Sequence, residues 1–198
     1  SPLYGWNTLL KRASDIFLSG IAILTTLPIM LLISIVVKLG SRGPLLYKQE
    51  RMGLDREVFI MYKFRSMKIG AENQTGPVWA KQDDDRKTLV GSFLRSTSLD
   101  ELPQLFNVLM GQMSLVGPRP ERPVFVEQFK KSIPFYMHRL KMKAGLTGWA
   151  QVNGWRGNTS LEKRIEFDLY YIKNWSLLFD FKILFLTIWK GLINRHAY

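Results

Sequence analysis

The longest apolar run in the chain spans Ile16 to Val37, reads IFLSGIAILTTLPIMLLISIVV and carries no charged residue. As one straight helix it would be about 33 Å long, enough to cross the hydrocarbon core of a bilayer. Pro28 stands in its middle. A proline removes a backbone donor and its ring meets the carbonyl four residues back, here that of Leu24. The pattern therefore predicts a kink between two arms of about 18 Å. Lys11 and Arg12 precede the run, and Lys38 and Arg42 follow it. Basic residues prefer the cytoplasmic side, so basic flanks at both ends predict a hairpin that enters and leaves through one leaflet. Lys11 and Arg12 are then membrane-interface residues and Pro28 is the break. Thr25 and Thr26 lie just before it, placed to satisfy backbone groups that the kink frees. A kinked spanning helix fits the same residues equally well, and a buried soluble helix fits them less well. A secretory signal fits badly, because the run is too long and no small-x-small cleavage pattern follows.

Past Gly43-Pro44 the pattern changes. Leu45–Gln49 and Val58–Phe64 are short runs of β-formers around Gly53-Leu54-Asp55, which predicts a β-hairpin. Residues 70–85 are polar and Gly-containing, hence a loop. Helical patterning returns at Lys87–Arg95, Asp100–Met110, Pro123–Lys131, Leu161–Trp175 and Leu177–Asn194, and Ser114–Val116 reads as a short strand. In the last helix the uncharged stretch between Lys182 and Lys190 is too short to span a bilayer. An interfacial helix with its basic residues at the headgroups fits it, and a core helix fits nearly as well. The predicted fold is α+β and predominantly helical: a re-entrant helix-break-helix membrane hairpin over 11–40, a small β-hairpin and interfacial amphipathic helices. Residues 1–198 show no internal repeat and no linker that would mark a second domain, and read as one domain. The chain opens on Ser1 rather than Met, which leads us to expect a fragment or a processed form.

The 198 residues carry 28 Lys and Arg against 16 Asp and Glu, a net charge of +12. That excess favours an anionic partner: nucleic acid, an anionic membrane face or a phosphorylated substrate. With no cysteine, disulfides, zinc-thiolate sites and a thiol nucleophile are excluded. With only His138 and His196, so are histidine metal clusters and most histidine-dependent triads. No P-loop or G-x-G-x-x-G pattern is present, so phosphates must be held by side chains and turn amides.

The strongest chemical candidate is Ser98-Leu99-Asp100-Glu101-Leu102-Pro103. Ser-x-x-Glu is a capping-box pattern, which places two adjacent carboxylates at a helix N-terminus. An ionised carboxylate can attack phosphorus, and a neighbouring one can hold Mg²⁺ against a pyrophosphate. Taken alone, such a pair is far more often a plain helix cap. The surrounding cations change the balance. Arg95 lies about one and a half turns upstream. Gly117-Pro118-Arg119-Pro120 presents an arginine on a proline turn, and Lys63-Phe64-Arg65 alternates two cations to one strand face. Arginine forks grip phosphate, and a diphosphate needs several. A third cluster, residues 144–157 (AGLTGWAQVNGWRG), crowds four glycines, two tryptophans and the amides of Gln151 and Asn153 next to Arg156. Rings and amides suit a sugar or nucleobase site; a glycine-rich turn with core tryptophans suits the pattern equally.

These stretches resemble the monotopic bacterial phosphoglycosyl transferases, the bacterial sugar transferase family. The resemblance lies in KRASD (11–15), the proline-broken apolar run, YKQERMG (47–53), YKFRSM (62–67), RSTSLDELPQLFNVLMGQMSLVGPRP (95–120), AGLTGWAQVNGWRG (144–157) and DLYYIKNWSLLFDFKIL (168–184). It covers nearly the whole chain. It implies transfer of a sugar-1-phosphate from a UDP-sugar to undecaprenyl phosphate, with release of UMP, at the cytoplasmic face of a bacterial inner membrane. By the match Asp100 is the nucleophile that forms a phosphosugar intermediate, and Glu101 helps bind Mg²⁺. Asp100 and Glu101 are thus both catalytic and metal candidates. Lys63, Arg65, Arg95, Arg119, Gln151, Asn153 and Arg156 are substrate-binding candidates. Members often carry Ser-Pro at the membrane break, where this chain has Leu27-Pro28. Trp155-Arg156-Gly157 resembles members that use hexose-1-phosphate, such as glucose or galactose donors; that subgroup often has an N-terminal region with several membrane spans, which implies that 1–198 is a single catalytic domain, with 41–198 its cytoplasmic part, and the C-terminal part of a longer protein. The implied partners are the UDP-sugar, undecaprenyl phosphate, the bilayer and a second copy of the chain, with no nucleic acid. Two non-catalytic alternatives are a membrane-anchored nucleic-acid-binding module and a scaffold with a degenerate site.

Overall fold

A computed structural model describes residues 5–40, 42–71, 76 and 86–193. The apolar run forms α1, Trp6–Gly40, 35 residues and about 52 Å long. The sequence predicts two arms, but the helix continues through Pro28. The carbonyl that loses its ladder donor at Pro28 is that of Leu24, and the threonines expected to satisfy freed groups bond to carbonyls one turn earlier. Thr25 donates to the carbonyls of Ile21 (2.9 Å) and Ala22 (3.1 Å), and Thr26 to that of Ala22 (2.6 Å). The buried residues of α1 are Lys11, Asp15, Ser19, Met30, Ile33 and Val37. At 100° per residue these fall on one stripe, since the step from Ser19 to Met30 is three turns. Leu18, Ala22 and Ile23 pack on the main core, whereas Met30, Ile33 and Val37 pack with Phe64 and Leu94. Both ends of the helix therefore rest on one body. Phe17, Leu24, Leu32 and Leu39 point away from it and are exposed.

Lys11 and Arg12, read from the sequence as membrane-interface residues, are both engaged by groups of the protein. Lys11 is buried, with its ammonium 2.7 Å from Asp180 and 3.6 Å from Asp15. Arg12 donates to the carbonyls of Val108 and Leu109, each at 2.7 Å, where the last turn of a helix leaves carbonyls without intrahelical donors. Asp15 in turn accepts from Ser114 Oγ (3.0 Å) and the Leu115 amide (3.1 Å). The KRASD segment thus pins α1 into the fold, because a buried charge is tolerated only with a partner.

The hairpin forms as predicted. β1 (Leu46–Met52) pairs antiparallel with β2 (Val58–Phe64), Leu46 facing Phe64 and Met52 facing Val58. α2 (Leu89–Ser96) starts at Thr88, whose side chain accepts from the Gly91 amide, and packs so closely that a Cβ on Gly91 would sit 1.8 Å from the Ser66 carbonyl. The predicted helix over 100–110 divides into a 3-10 turn (Leu99–Glu101) and α3 (Gln104–Leu109). β3 (Ser114–Val116) exists as predicted; its parallel partner β4 (Gly145–Thr147) lies in the glycine-rich cluster and was not foreseen. The strands meet through backbone alone: a Cβ on Gly145 would lie 2.1 Å from the Gly117 nitrogen, and one on Gly148 2.2 Å from the Gly117 carbonyl. α4 (Pro123–Ser132), a 3-10 segment (Tyr136–Lys141), α5 (Trp149–Val152), α6 (Leu161–Lys173) and α7 (Leu177–Ile193) complete the fold. α7 buries Asp180 and Ile183 but exposes Leu178, Phe181, Phe185 and Ile188, an apolar stripe at helical spacing. The loop predicted over 70–85 lies largely outside the described residues.

Candidate active site

The capping box does not form. Ser98 adopts a left-handed conformation (φ 57°) and makes no cap bond with its side chain. Its hydroxyl instead accepts from Arg156 Nη1 at 3.2 Å. Glu101 does not reach back to Ser98, because three cations hold its carboxylate. Lys63 Nζ donates to Oε1 at 2.8 Å and Arg119 Nη2 at 2.6 Å, and Arg156 Nη2 lies 3.4 Å from the same oxygen. Arg119 Nη1 meets Oε2 at 3.4 Å, completing a fork. A non-glycine residue with positive φ is strained by about 1–2 kcal/mol, and such strain persists where the surroundings enforce it.

Asp100 is equally buried but differently placed. It is 5% exposed, it borders the cavity, and among the described residues its carboxylate accepts no hydrogen bond. Among the described residues its ion-pair partner is Lys63, at 4.0 Å. Burial, with the Glu101 charge adding to it, pushes the Asp100 carboxyl above the ordinary range against the pull of Lys63, Arg95 and Arg156. Burial acts on Glu101 in the same direction, but the combined field of Arg119, Lys63 and Arg156 outweighs it and holds that carboxyl well below the usual value. Two neighbours in sequence are thereby separated in chemistry. One is a more basic carboxylate open to the cavity; the other is fixed as an anion behind its cations.

The cavity beside Asp100 measures about 400 Å³. Among its described lining residues, nine lysines and arginines face two carboxylates, Asp100 and Glu121. A hollow of that size and sign suits a polyanion of the size of a sugar nucleotide. Asn107 fixes the strand that delivers Lys63. It is fully buried, accepts from the Tyr62 amide (3.1 Å) and donates to the Ile60 carbonyl (2.7 Å), much as a neighbouring strand would. The sequence reading missed it, since no spacing rule links an asparagine on one helix to a strand edge.

The structure brings Lys63, Arg119 and Arg156 onto the dyad and places Arg95 on the cavity wall. Arg65 borders the cavity too, but it is buried and donates to the Arg42 carbonyl at 2.9 Å, beyond the C-terminal end of α1. The amides of Gln151 and Asn153 bond to the nearby carbonyls of Leu146 (3.3 Å) and Trp149 (2.7 Å) and do not line the cavity. Both tryptophans of that cluster pack on aromatic neighbours: Trp149 on Phe179 at 5.0 Å and Trp155 on Phe167 at 6.1 Å between centroids. No cluster of three acidic, histidine or cysteine ligands exists among the described residues. Asp100 and Glu101 supply carboxylate oxygens, which are hard donors, and those of Glu101 are engaged by Lys63, Arg119 and Arg156.

A family model described as bacterial sugar transferase matches residues 6–194. Among curated relatives, the UDP-glucose:undecaprenyl-phosphate glucose-1-phosphate transferase of Escherichia coli K12 is 52% identical over 100% of this chain and 43% of its own length. The UDP-N-acetylgalactosamine-undecaprenyl-phosphate N-acetylgalactosaminephosphotransferase of Aeromonas hydrophila is 46% identical over 95% of this chain and 44% of its own length. An exopolysaccharide production protein of Rhizobium leguminosarum is 41% identical over 92% of this chain and 94% of its own. The chain thus spans less than half the length of the first two relatives.

Proposed function

The chain belongs to the bacterial sugar transferase family, and on that premise we propose that it moves a sugar-1-phosphate from a UDP-hexose, such as UDP-glucose or UDP-galactose, to undecaprenyl phosphate. One observation carries the reading: Asp100 is a cavity-facing carboxylate that accepts no hydrogen bond from any described residue, beside a second carboxylate tied to three cations. An Asp100 oxygen attacks the sugar-bearing phosphorus of the donor. The bond from that phosphorus to the UMP oxygen breaks, UMP leaves, and the sugar phosphate stays on Asp100. An oxygen of undecaprenyl phosphate then attacks the same phosphorus, the Asp100–phosphorus bond breaks, and the carboxylate is restored. A more basic carboxylate is the better nucleophile, in keeping with the raised pKa of Asp100. Glu101 holds Lys63, Arg119 and Arg156 in register until donor phosphates compete for them. Asp100 and Glu101 would hold Mg²⁺, which when bound supplies charge neutralisation at the diphosphate.

The acceptor is a lipid, and the shape of α1 suits that. Both of its ends rest on the catalytic body while its outer face is apolar, which supports a helix dipping into one leaflet from the cytoplasmic face of the inner membrane. The outward stripe of α7 would lie in the same interface. A nucleic-acid module is disfavoured, because the cations converge on a cavity instead of lining an open surface.

The test is UMP release by the nanodisc-held chain with undecaprenyl phosphate and a panel of UDP-sugars. Release with a UDP-hexose, abolished by EDTA and by Asp100→Asn, is the expected result, with an intact-mass adduct of one hexose phosphate when the acceptor is omitted. Full activity of Asp100→Asn would overturn the covalent scheme.

A further inference from the structure

The turn that carries Arg119 has an unusual hold. In Gly117-Pro118-Arg119-Pro120 both prolines lack an N–H, so the turn has few donors of its own. It is fixed by its carbonyls, four in succession. Pro118 O accepts from the Gly145 amide (2.9 Å), Arg119 O from Arg139 Nη2 (2.8 Å), Pro120 O from Arg51 Nη1 (3.0 Å) and Glu121 O from the Met52 amide (2.9 Å). Arg139 is 2% exposed and reads as a core cation. Its Nε and Nη2 both meet Asp168 Oδ2, at 3.1 and 2.7 Å, and its Nη1 donates to the Tyr136 hydroxyl at 3.2 Å. Asp168 is 2% exposed and lies on α6, outside the catalytic cavity.

We propose that the buried Arg139–Asp168 pair is a positioning element for the transfer reaction: it holds the Arg119 carbonyl, and through it aims the Arg119 guanidinium at Glu101. The argument rests on stiffness. The residue before a proline is confined to extended backbone, so at Arg119 the direction of the carbonyl largely fixes where the side chain starts. Arg139 grips that carbonyl, and Asp168 prevents Arg139 from swinging. A comparable arrangement serves the other fork: Arg164 Nη2 donates to the Gly157 carbonyl (2.7 Å), next to Arg156, while Arg164 Nη1 rests on Glu121 at 3.1 Å. Neither Arg139 nor Asp168 touches the reacting atoms, so neither is a catalytic residue.

The proposal rests on the transfer reading for its consequence in turnover, but not for its geometry, and the test separates the two. Arg139→Lys keeps the charge yet cannot hold Asp168 and the Arg119 carbonyl together. In nanodiscs the side-chain NMR signals of Arg119, assigned by their loss in Arg119→Ala, should lose exchange protection in Arg139→Lys. Unchanged Arg119 signals in a folded Arg139→Lys variant would overturn the proposal. In parallel, Arg139→Lys should lower kcat/KM for UMP release about tenfold or more in the native background and by less than about twofold in the Arg119→Ala background. Equal losses in both backgrounds would mean a general structural role and would also overturn it. If Arg139→Lys does not fold, Tyr136→Phe removes a single bond to Arg139 and should loosen the Arg119 signals in the same direction; no change there counts against the proposal. If the native chain releases no UMP while Arg139→Lys still frees Arg119, the transfer reading fails and the positioning role stands.

Discussion

Asp180→Ala is the perturbation that most directly separates a docked α1 from a helix floating beside the catalytic body. Asp180 accepts from Lys11 Nζ (2.7 Å), the Tyr171 hydroxyl (2.5 Å) and Trp175 Nε1 (3.2 Å), and it is 4% exposed. The Tyr171 hydroxyl can turn to the Val116 carbonyl, 3.2 Å away, so its loss is small. Among the described residues Lys11 then retains the Asp15 carboxylate, at 3.6 Å. Breaking one side of a buried ion pair costs about 3–5 kcal/mol, and orphaning the Trp175 donor adds about 1–3 kcal/mol. A loss of roughly 4–8 kcal/mol corresponds to a fall in Tm of roughly 10–30 °C for a chain of this size. Intrinsic tryptophan fluorescence of the nanodisc-held chain during heating reads it. Lys11→Met/Asp180→Leu removes both charges and should recover part of the loss, since Asp15 keeps the Ser114 hydroxyl and the Leu115 amide while the Trp175 donor stays orphaned. A shift for Asp180→Ala below about 2 °C, or a double variant no more stable than the single one, would refute the reasoning: Lys11 would then be solvated at the headgroups, as its sequence position alone suggests.

Three further outcomes are expected. Gly117→Ala should lower stability by about 3 kcal/mol or more, read as a lower Tm and poor yield, because its Cβ would lie 2.4 Å from the Lys143 carbonyl and neither backbone can retreat; a normal Tm would show that β3 and β4 are less tightly apposed. Glu101→Gln should cut kcat for UMP release at least about a hundredfold while the chain stays folded, since an amide cannot neutralise three cations; near-native kcat would remove Glu101 from the machinery. Because the chain has no cysteine, Thr8→Cys and Leu39→Cys report cleanly on topology. A membrane-impermeant maleimide should reach both only from the side that bears the catalytic body, and labelling from opposite sides would establish a spanning helix.

The elements with long periodic signals were legible in the sequence. α6, α7 and the hairpin lie close to where hydrophobic spacing puts them, and the dyad and its basic company were recognisable from residue type. What was not legible depends on partners far apart in the chain. Lys11 looks like a flank charge until Asp180, 169 positions on, proves to be its counter-ion. Ser98 and Glu101 satisfy a capping pattern locally, yet a lysine from β2 and two arginines from distant loops outbid the helix end for Glu101. β4 was hidden because its glycines serve backbone contact, which leaves no alternation to read. Gln151 and Asn153 carry suitable chemistry, but in a tight helical turn their amides find carbonyls within five residues.

The single stripe along α1 also restricts how this helix can change length. Ser19 and Met30 meet the body eleven residues apart, a whole number of turns to within about 20°. Inserting one residue between them would rotate Met30, Ile33 and Val37 by about 100°, turning them away from the protein and bringing apolar outer residues against it. Inserting eleven would restore the phase but lift the second contact about 16 Å along the axis. The segment therefore behaves as a keyed shaft rather than a tether: its depth and its rotation are set together, and neither can drift without the other.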